Sequence, residues 1–378
     1  MTLIMNWSRF LAILQKEFRQ IRRDRLTFAM MVGMPIMQLI LFGFAINTDP
    51  RHLPLALVSA DESEFSRSFV AALETSSYFR ITHRPQGEAQ ANQLLAQGSV
   101  QFVLVIPVDF SRRLMRGEKP AVLLAADATD PAASGNALAA LNNISRQALR
   151  HDLKGPLSGL QAAEAPFEVR VQRRYNPEGL SRYNIVPGLI GVILTMTMVM
   201  MTSLAMTRER ERGTMENLLA TPVRPFEVMA GKIVPYILIG YIQVMVILGA
   251  ARLLFDVPMV GSLVLLLFAL VLFMAAHLAV GFTFSTIAKN QLQAMQLTFF
   301  FFLPSMLLSG FMFPFRGMPV WAQWIGEVLP LTHFLRIVRG ILLKGNALAE
   351  IIPDLWPIAA FMVGAGLIAL LRYRKTLD

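Results

Sequence analysis

Apolar and polar positions along this chain fall into two regimes. Six apolar runs, at about 26–47, 184–207, 231–253, 262–287, 294–313 and 353–371, are long enough to cross a bilayer as helices. No water meets the backbone in hydrocarbon, so a spanning segment has to satisfy its own N–H and C=O groups, as a helix does. Between the first and second runs, residues 48–183 return to ordinary soluble patterning. Strand-like stretches stand at Leu53–Val58, Phe102–Ile106, Ala121–Ala125 and near Phe167–Val171, with helix-like stretches at about 62–75, 87–97, 108–116 and 132–153. The alternation predicts a compact α/β domain. The expected architecture is therefore an α-helical polytopic membrane protein of six transmembrane helices with an inserted extracytoplasmic α/β domain.

Composition agrees. Of 378 residues, 54% are hydrophobic and only 16% charged, where soluble domains carry about a quarter charged. The net charge of +10 suits the cytoplasmic ends of membrane helices better than nucleic acid, because no basic stripe with interleaved aromatics accompanies it. Cysteine is absent, which excludes disulfides and thiol chemistry, and the five histidines show no metal-ligand spacing. Asp109, Asp127 and Asp130 read as turn and capping residues rather than a catalytic cluster.

Lys and Arg set the orientation. With the N-terminus inside, the short inside segments hold fifteen basic residues against five outside. Both termini are thus expected in the cytoplasm and 48–183 outside. The first run follows Arg19, Arg22, Arg23 and Arg25; it is too long for a signal peptide's apolar core and reads as a retained anchor. Before it, residues 1–25 carry Trp7, Phe10, Leu11, Leu14, Phe18 and Ile21 at helical spacing among basic residues, the pattern of an amphipathic helix lying in the interface.

After the second run comes RERERGTMENLLATPVRPFEVMAGK, from Arg208 to Lys232. Glu209 and Glu211 alternate with Arg208, Arg210 and Arg212. Gly213 permits a tight turn, Thr214 is a good N-cap, and Glu216 lies in the first helical turn. Met215, Leu218 and Leu219 share one face of a short helix, which Thr221 and Pro222 end. Such a capped helix suits a groove on a partner, and an ordinary solvated turn is the alternative.

At this string the chain resembles the ABC-2 type permeases, in the branch with a large external domain after the first span. The matching pattern is E-x-x-x-G-T-x-E-x-L-x-x-T-P, here Glu209, Gly213, Thr214, Glu216, Leu218, Thr221 and Pro222. It is joined by NIVPGLIGVIL, GKIVPYILIGYIQ, and LPSMLLSGFMFPFRGMP followed by WAQWIGEVLPLTHFLRIVRGILLKG. The resemblance implies a coupling helix at about 208–224 that inserts into a nucleotide-binding subunit. It also implies two ATPase subunits per transporter, a second permease copy or paralogue, a possible periplasmic adaptor, membrane lipids around the spans, a multi-pass location in the inner membrane, and export of drugs, lipids or similar amphiphiles.

The chain has no phosphate loop: Gly231–Lys232 lacks the upstream glycine and the hydroxyl residue. It is expected to bind no cofactor, leaving ATP and magnesium to the partner, and not to be an enzyme. An ion-coupled secondary exporter would need a carboxylate inside a span; none of the six runs has one, and Asp354 sits at an end. A membrane-anchored receptor or scaffold would need an output domain that is not visible. His277 is the only ionisable group near a mid-span, so it is a pathway candidate, with interhelical hydrogen bonding as the alternative. Met196 and Met200, in the Met-rich second run, could form an adaptable cargo surface or merely fill space between helices. Pro35, Pro187, Pro235 and Pro304 predict kinks or span edges, and residues 314–345 read as external re-entrant or interfacial helices.

Overall fold

A computed structural model describes residues 50–153, 166–211 and 225–375. The interface-helix positions Trp7, Phe10, Phe18, Arg19 and Arg22, the run 26–47, and Gly213, Thr214, Met215, Glu216, Leu218, Leu219, Thr221 and Pro222 lie outside the described residues.

The soluble patterning folds into a mixed sheet of β1 (Leu53–Ser59), β2 (Phe79–His83), β3 (Phe102–Ile106), β4 (Ala121–Asp127) and β5 (Glu168–Arg174), in the order β2-β1-β3-β4-β5. β1 pairs parallel with β2 and β3, β3 antiparallel with β4, and β4 parallel with β5. The connecting helices are α1 (Glu64–Thr75), α2 (Glu88–Ala96), α3 (Phe110–Met115) and α4 (Pro131–Gln147). Alternation along β1 sends Leu53, Leu55 and Leu57 to one face and Ala56 to the other. On the first face α1, α3 and α4 bury Phe69, Phe110 and Leu141 against the sheet, with the Phe69 and Phe110 rings set edge-on to Phe167. On the second, α2 brings Ala91 and Leu95 against Ala56, Val103 and Ala125. Asp61 joins two helix starts: its carboxylate accepts from the backbone N–H of Ser63 at 2.8 Å and of Ser111 at 2.9 Å.

The long helices are α5 (Ser181–Glu211), α6 (Pro225–Phe255), α7 (Leu263–Ile287), α8 (Gln291–Leu308) and α11 (Leu348–Lys375). All five are long and apolar enough to cross a membrane. Ser262 caps α7 through Leu265 N–H and Asn290 caps α8 through Gln293 N–H. The fifth predicted run, 294–313, ends early: α8 stops at Leu308, and Gly310 turns the chain at φ +84°. Between α8 and α11 stand a 3-10 turn at Phe315–Gly317, two short α-helices, α9 (Val320–Val328) and α10 (Pro330–Arg339), and one π-helical turn at Gly340–Lys344. Leu331, Phe334, Leu335, Ile337 and Val338 of α10 are buried in the same core as α5, α7 and α11, whereas α9 exposes Val320, Trp321, Trp324 and Val328.

Close helix approach needs small residues, because lipid supplies no hydrophobic drive between helices. A methyl on Gly281 would lie 2.7 Å from the Val199 carbonyl, and one on Gly191 would strike Leu331 and Phe334.

Candidate functional site

Three polar regions interrupt the apolar packing. The first is at the end of α5, where the charged loop begins. Glu211 reaches to the start of α8: Gln291 donates its backbone N–H to Oε1 at 2.8 Å and its side-chain amide to Oε2 at 2.5 Å. These bonds from Gln291 hold the Glu211 carboxyl below the usual glutamate range. The last described residue before the loop is therefore tied to the α7–α8 turn, which Asn290 and Gln293 brace by capping bonds. Glu209 lies half-buried on the same turn of α5.

The second is inside the helix bundle. His277 of α7 is fully buried; its Nδ1–H donates to the Phe273 carbonyl at 2.8 Å, and Nε2 lies 3.2 Å from the Thr195 hydroxyl of α5. The Thr195 hydroxyl also donates to the Gly191 carbonyl at 2.8 Å. Met196 and Met200 are only half-buried on α5, Met196 against the core that holds Phe273 and Leu278. Met198 instead closes on Gly240 of α6 together with Met274.

The third lies between the sheet and the end of the α9–α10 hairpin. Lys344 donates to Asp127 Oδ2 at 2.5 Å and to the Leu95 carbonyl at 3.3 Å, and stands over the Tyr175 ring. Both side chains of this pair are 8% exposed. Asn346 donates to the Ala96 carbonyl at 3.1 Å, and Asn184 of α5 to Asp130 at 3.2 Å. Asp127 does hold a turn, accepting from the Thr129 N–H and hydroxyl. Its larger partner is a lysine 217 positions away, which local spacing cannot reveal. The two halves are thus clasped through buried charge. A further ionic knot joins α9, α10 and α11: Arg336 pairs with Glu327 and Asp354, and His333 Nδ1 lies 2.8 Å from Asp354. Asp354, expected at a span end, sits in the second turn of α11 inside this knot.

Five long apolar helices with a sheet domain clasped to their ends describe a multi-pass membrane protein. Residues 25–371 match the family described as "ABC-2 family transporter protein", and the chain belongs to that family. It is 30% identical to the "Probable multidrug ABC transporter permease YbhS" of Escherichia coli K12 over 99% of each chain. It is 27% identical to YbhR, which carries the same description, over 98% of this chain and 99% of that one. The "Inner membrane transport permease YhhJ" of the same organism is 29% identical over 96% of each. These relatives are permeases rather than catalysts, and this chain is likewise not an enzyme.

Proposed function

We propose that this chain is the membrane-spanning half of an ATP-driven ABC-2 exporter that moves an amphiphilic compound, such as a drug or a lipid, across the inner membrane. ATP and magnesium bind to separate ATPase subunits, two per complex, and a second permease, identical or paralogous, completes the pathway. The observation that carries this reading is the likeness, over nearly the whole chain, to permeases named for multidrug and inner-membrane transport. The run 26–47 adds a sixth span to the five described, both termini lie in the cytoplasm, and 48–183 forms the domain outside, where an adaptor would dock. Residues 1–25 lie in the interface against membrane lipids.

Coupling is assigned to Glu209, Glu211, Gly213–Glu216, Leu218, Leu219, Thr221 and Pro222. The bonds from Gln291 to Glu211 support it, since a displaced loop would pull on the α7–α8 turn as well as on α5. Met196 and Met200 are assigned to the pathway surface. His277, its Nδ1–H engaged by the Phe273 carbonyl and its Nε2 against the Thr195 side chain, acts there through the packing of α5 on α7.

The complex reconstituted with its ATPase tests the assignment. Glu216→Arg and Gly213→Pro should leave insertion intact and abolish stimulated ATP hydrolysis and transport. Parent-level stimulation in either variant overturns the coupling role. Saturable ATP binding by the permease alone overturns the division of labour. Because the chain has no cysteine, single cysteines introduced at Ser99 and Glu209 report sidedness by labelling from each face.

A further inference from the structure

A cavity of about 490 Å³ lies where the sheet domain meets the helix ends. One wall is formed by the loops after α2 and β4, the other by the α9–α10 hairpin and the start of α11. Its carboxylates are already engaged. Asp127 holds Lys344, Glu327 and Asp354 share Arg336 and His333, Asp130 accepts from Ala132 N–H and Asn184, and Glu350 accepts from Ala347 N–H.

Two guanidiniums on the same cavity are not so matched. Arg316 donates to the Gly98 carbonyl at 2.8 Å, and Arg339 reaches only the Gly310 carbonyl, at 3.3 Å from both terminal nitrogens. Neither forms an ion pair among the described residues, and the Arg339 Nε–H is buried without an acceptor there. Arg316 is exposed and Arg339 half-buried, and carboxylates of the same cavity act on them only at longer range, Glu327 and Asp127 on Arg316 and Asp130 and Asp127 on Arg339. A guanidinium has five N–H donors in a rigid fork that fits carboxylate or phosphate oxygens, and the carbonyls that these two reach fill few of them.

The cavity also borders lipid. Trp356 and Pro357 of α11 line it, and α11 turns Ile352, Val363 and Leu367 outward as exposed apolar side chains. We propose that the cavity binds the phosphate of an anionic amphiphile's headgroup between Arg316 and Arg339, with the acyl chain lying along α11 in the bilayer. As a step in transport this rests on the exporter reading; as a binding site it does not, so the test measures binding by the permease alone.

The purified full chain in neutral detergent is titrated, with native mass spectrometry as readout, against lysophosphatidic acid, the monoacylglycerol of the same chain length, and inorganic phosphate. The phosphate amphiphile should bind roughly 10-fold or more tighter than its phosphate-free counterpart, as charge-assisted bonds to two guanidiniums require. Arg316→Gln and Arg339→Gln should each remove about that factor, and the pair should equalise the two amphiphiles. Ser99→Glu, at an exposed position on the cavity wall, leaves both arginines in place and should weaken the phosphate amphiphile alone, which guards against misfolding of the arginine variants. Equal binding of the two amphiphiles by the parent chain overturns the proposal, as does parent-level binding by the double variant. Inorganic phosphate binding as tightly as lysophosphatidic acid overturns the lipid assignment and makes the ligand the free anion.

Discussion

The sheet domain and the helix bundle are built inside out relative to each other. In the domain, Phe69, Phe79, Phe102, Phe110 and Phe167 are fully buried, while charges such as those of Arg113, Glu118 and Arg170 lie outside in exposed pairs. In the bundle, Ile242 and Val246 of α6, Phe268 of α7 and Leu371 of α11 face outward, while Thr195, Thr202, Thr207, Thr298 and Ser305 are buried. Each of those hydroxyls returns its hydrogen to the carbonyl four residues back, so none adds an unmet polar group to the interior. The contrast identifies the surroundings of each half. Water drives the aromatic residues of the domain together, whereas hydrocarbon offers the bundle no such drive and leaves its cohesion to close packing and hydrogen bonds.

The contact between the halves is where the contrast is easiest to break. Lys344→Met leaves Asp127 buried without its cation and should cost about 3–5 kcal/mol, read as a large fall in the melting temperature of the purified chain. Lys344→Met with Asp127→Asn, which keeps the acceptor for Thr129, should recover most of it; no recovery would mean that Lys344 acts through the Leu95 carbonyl or Tyr175 instead.

Next in size is a pair of glycine substitutions with opposite expected signs. Gly281→Ala pushes a methyl onto the Val199 carbonyl and should destabilise the bundle by about 1–3 kcal/mol. Gly135→Ala, on α4 of the domain with nothing near the added methyl, should stabilise by about 0.5–1 kcal/mol. Matching signs would refute the idea that close approach governs only the bundle.

Asp61 gives the domain an acid-sensitive joint of middle size. Burial raises its carboxyl, but the bonds from Ser63 and Ser111 outweigh that and bring it to about 2 from an ordinary 3.8. Since the folded value is the lower one, the stabilisation is complete above the unfolded value and fades as pH falls towards 2. Asp61→Asn should cost about 1–2 kcal/mol near neutrality, and the gap from parent should close on acidification to pH 2. A gap independent of pH would show that the carboxylate charge is irrelevant. Smallest is Thr298→Val in the bundle. Its hydroxyl bonds only within its own helix, so the loss should stay near or below about 0.6 kcal/mol; a larger one would reveal an interhelical role.

Much of this was legible from hydropathy. The four apolar runs at 184–207, 231–253, 262–287 and 353–371 each lie within a long helix, and the predicted strands near Leu53, Phe102, Ala121 and Phe167 all have counterparts. The strand β2 was not legible: Phe-Arg-Ile-Thr-His is a short edge strand in which only Phe79 is buried, so it carries almost no apolar signal. Nor was the stop of α4 at Gln147 rather than near 153, where the chain continues in turns around Leu149 and Leu153. The run 26–47 and the core of the loop at 208–224 lie outside the described residues and rest on the sequence argument.

By itself the amino-acid order determined which solvent each segment faces, because hydrophobicity adds up locally over the length of a span or the period of a strand. It also marked the loop at 208–224 through its cap, turn and charge residues. Only the tertiary structure decided which polar groups meet: Lys344 with Asp127, Gln291 with Glu211, and, on one cavity, two arginines that reach only backbone carbonyls. Those encounters depend on distances of a few ångströms between positions far apart in the chain, and no local property of either position encodes them.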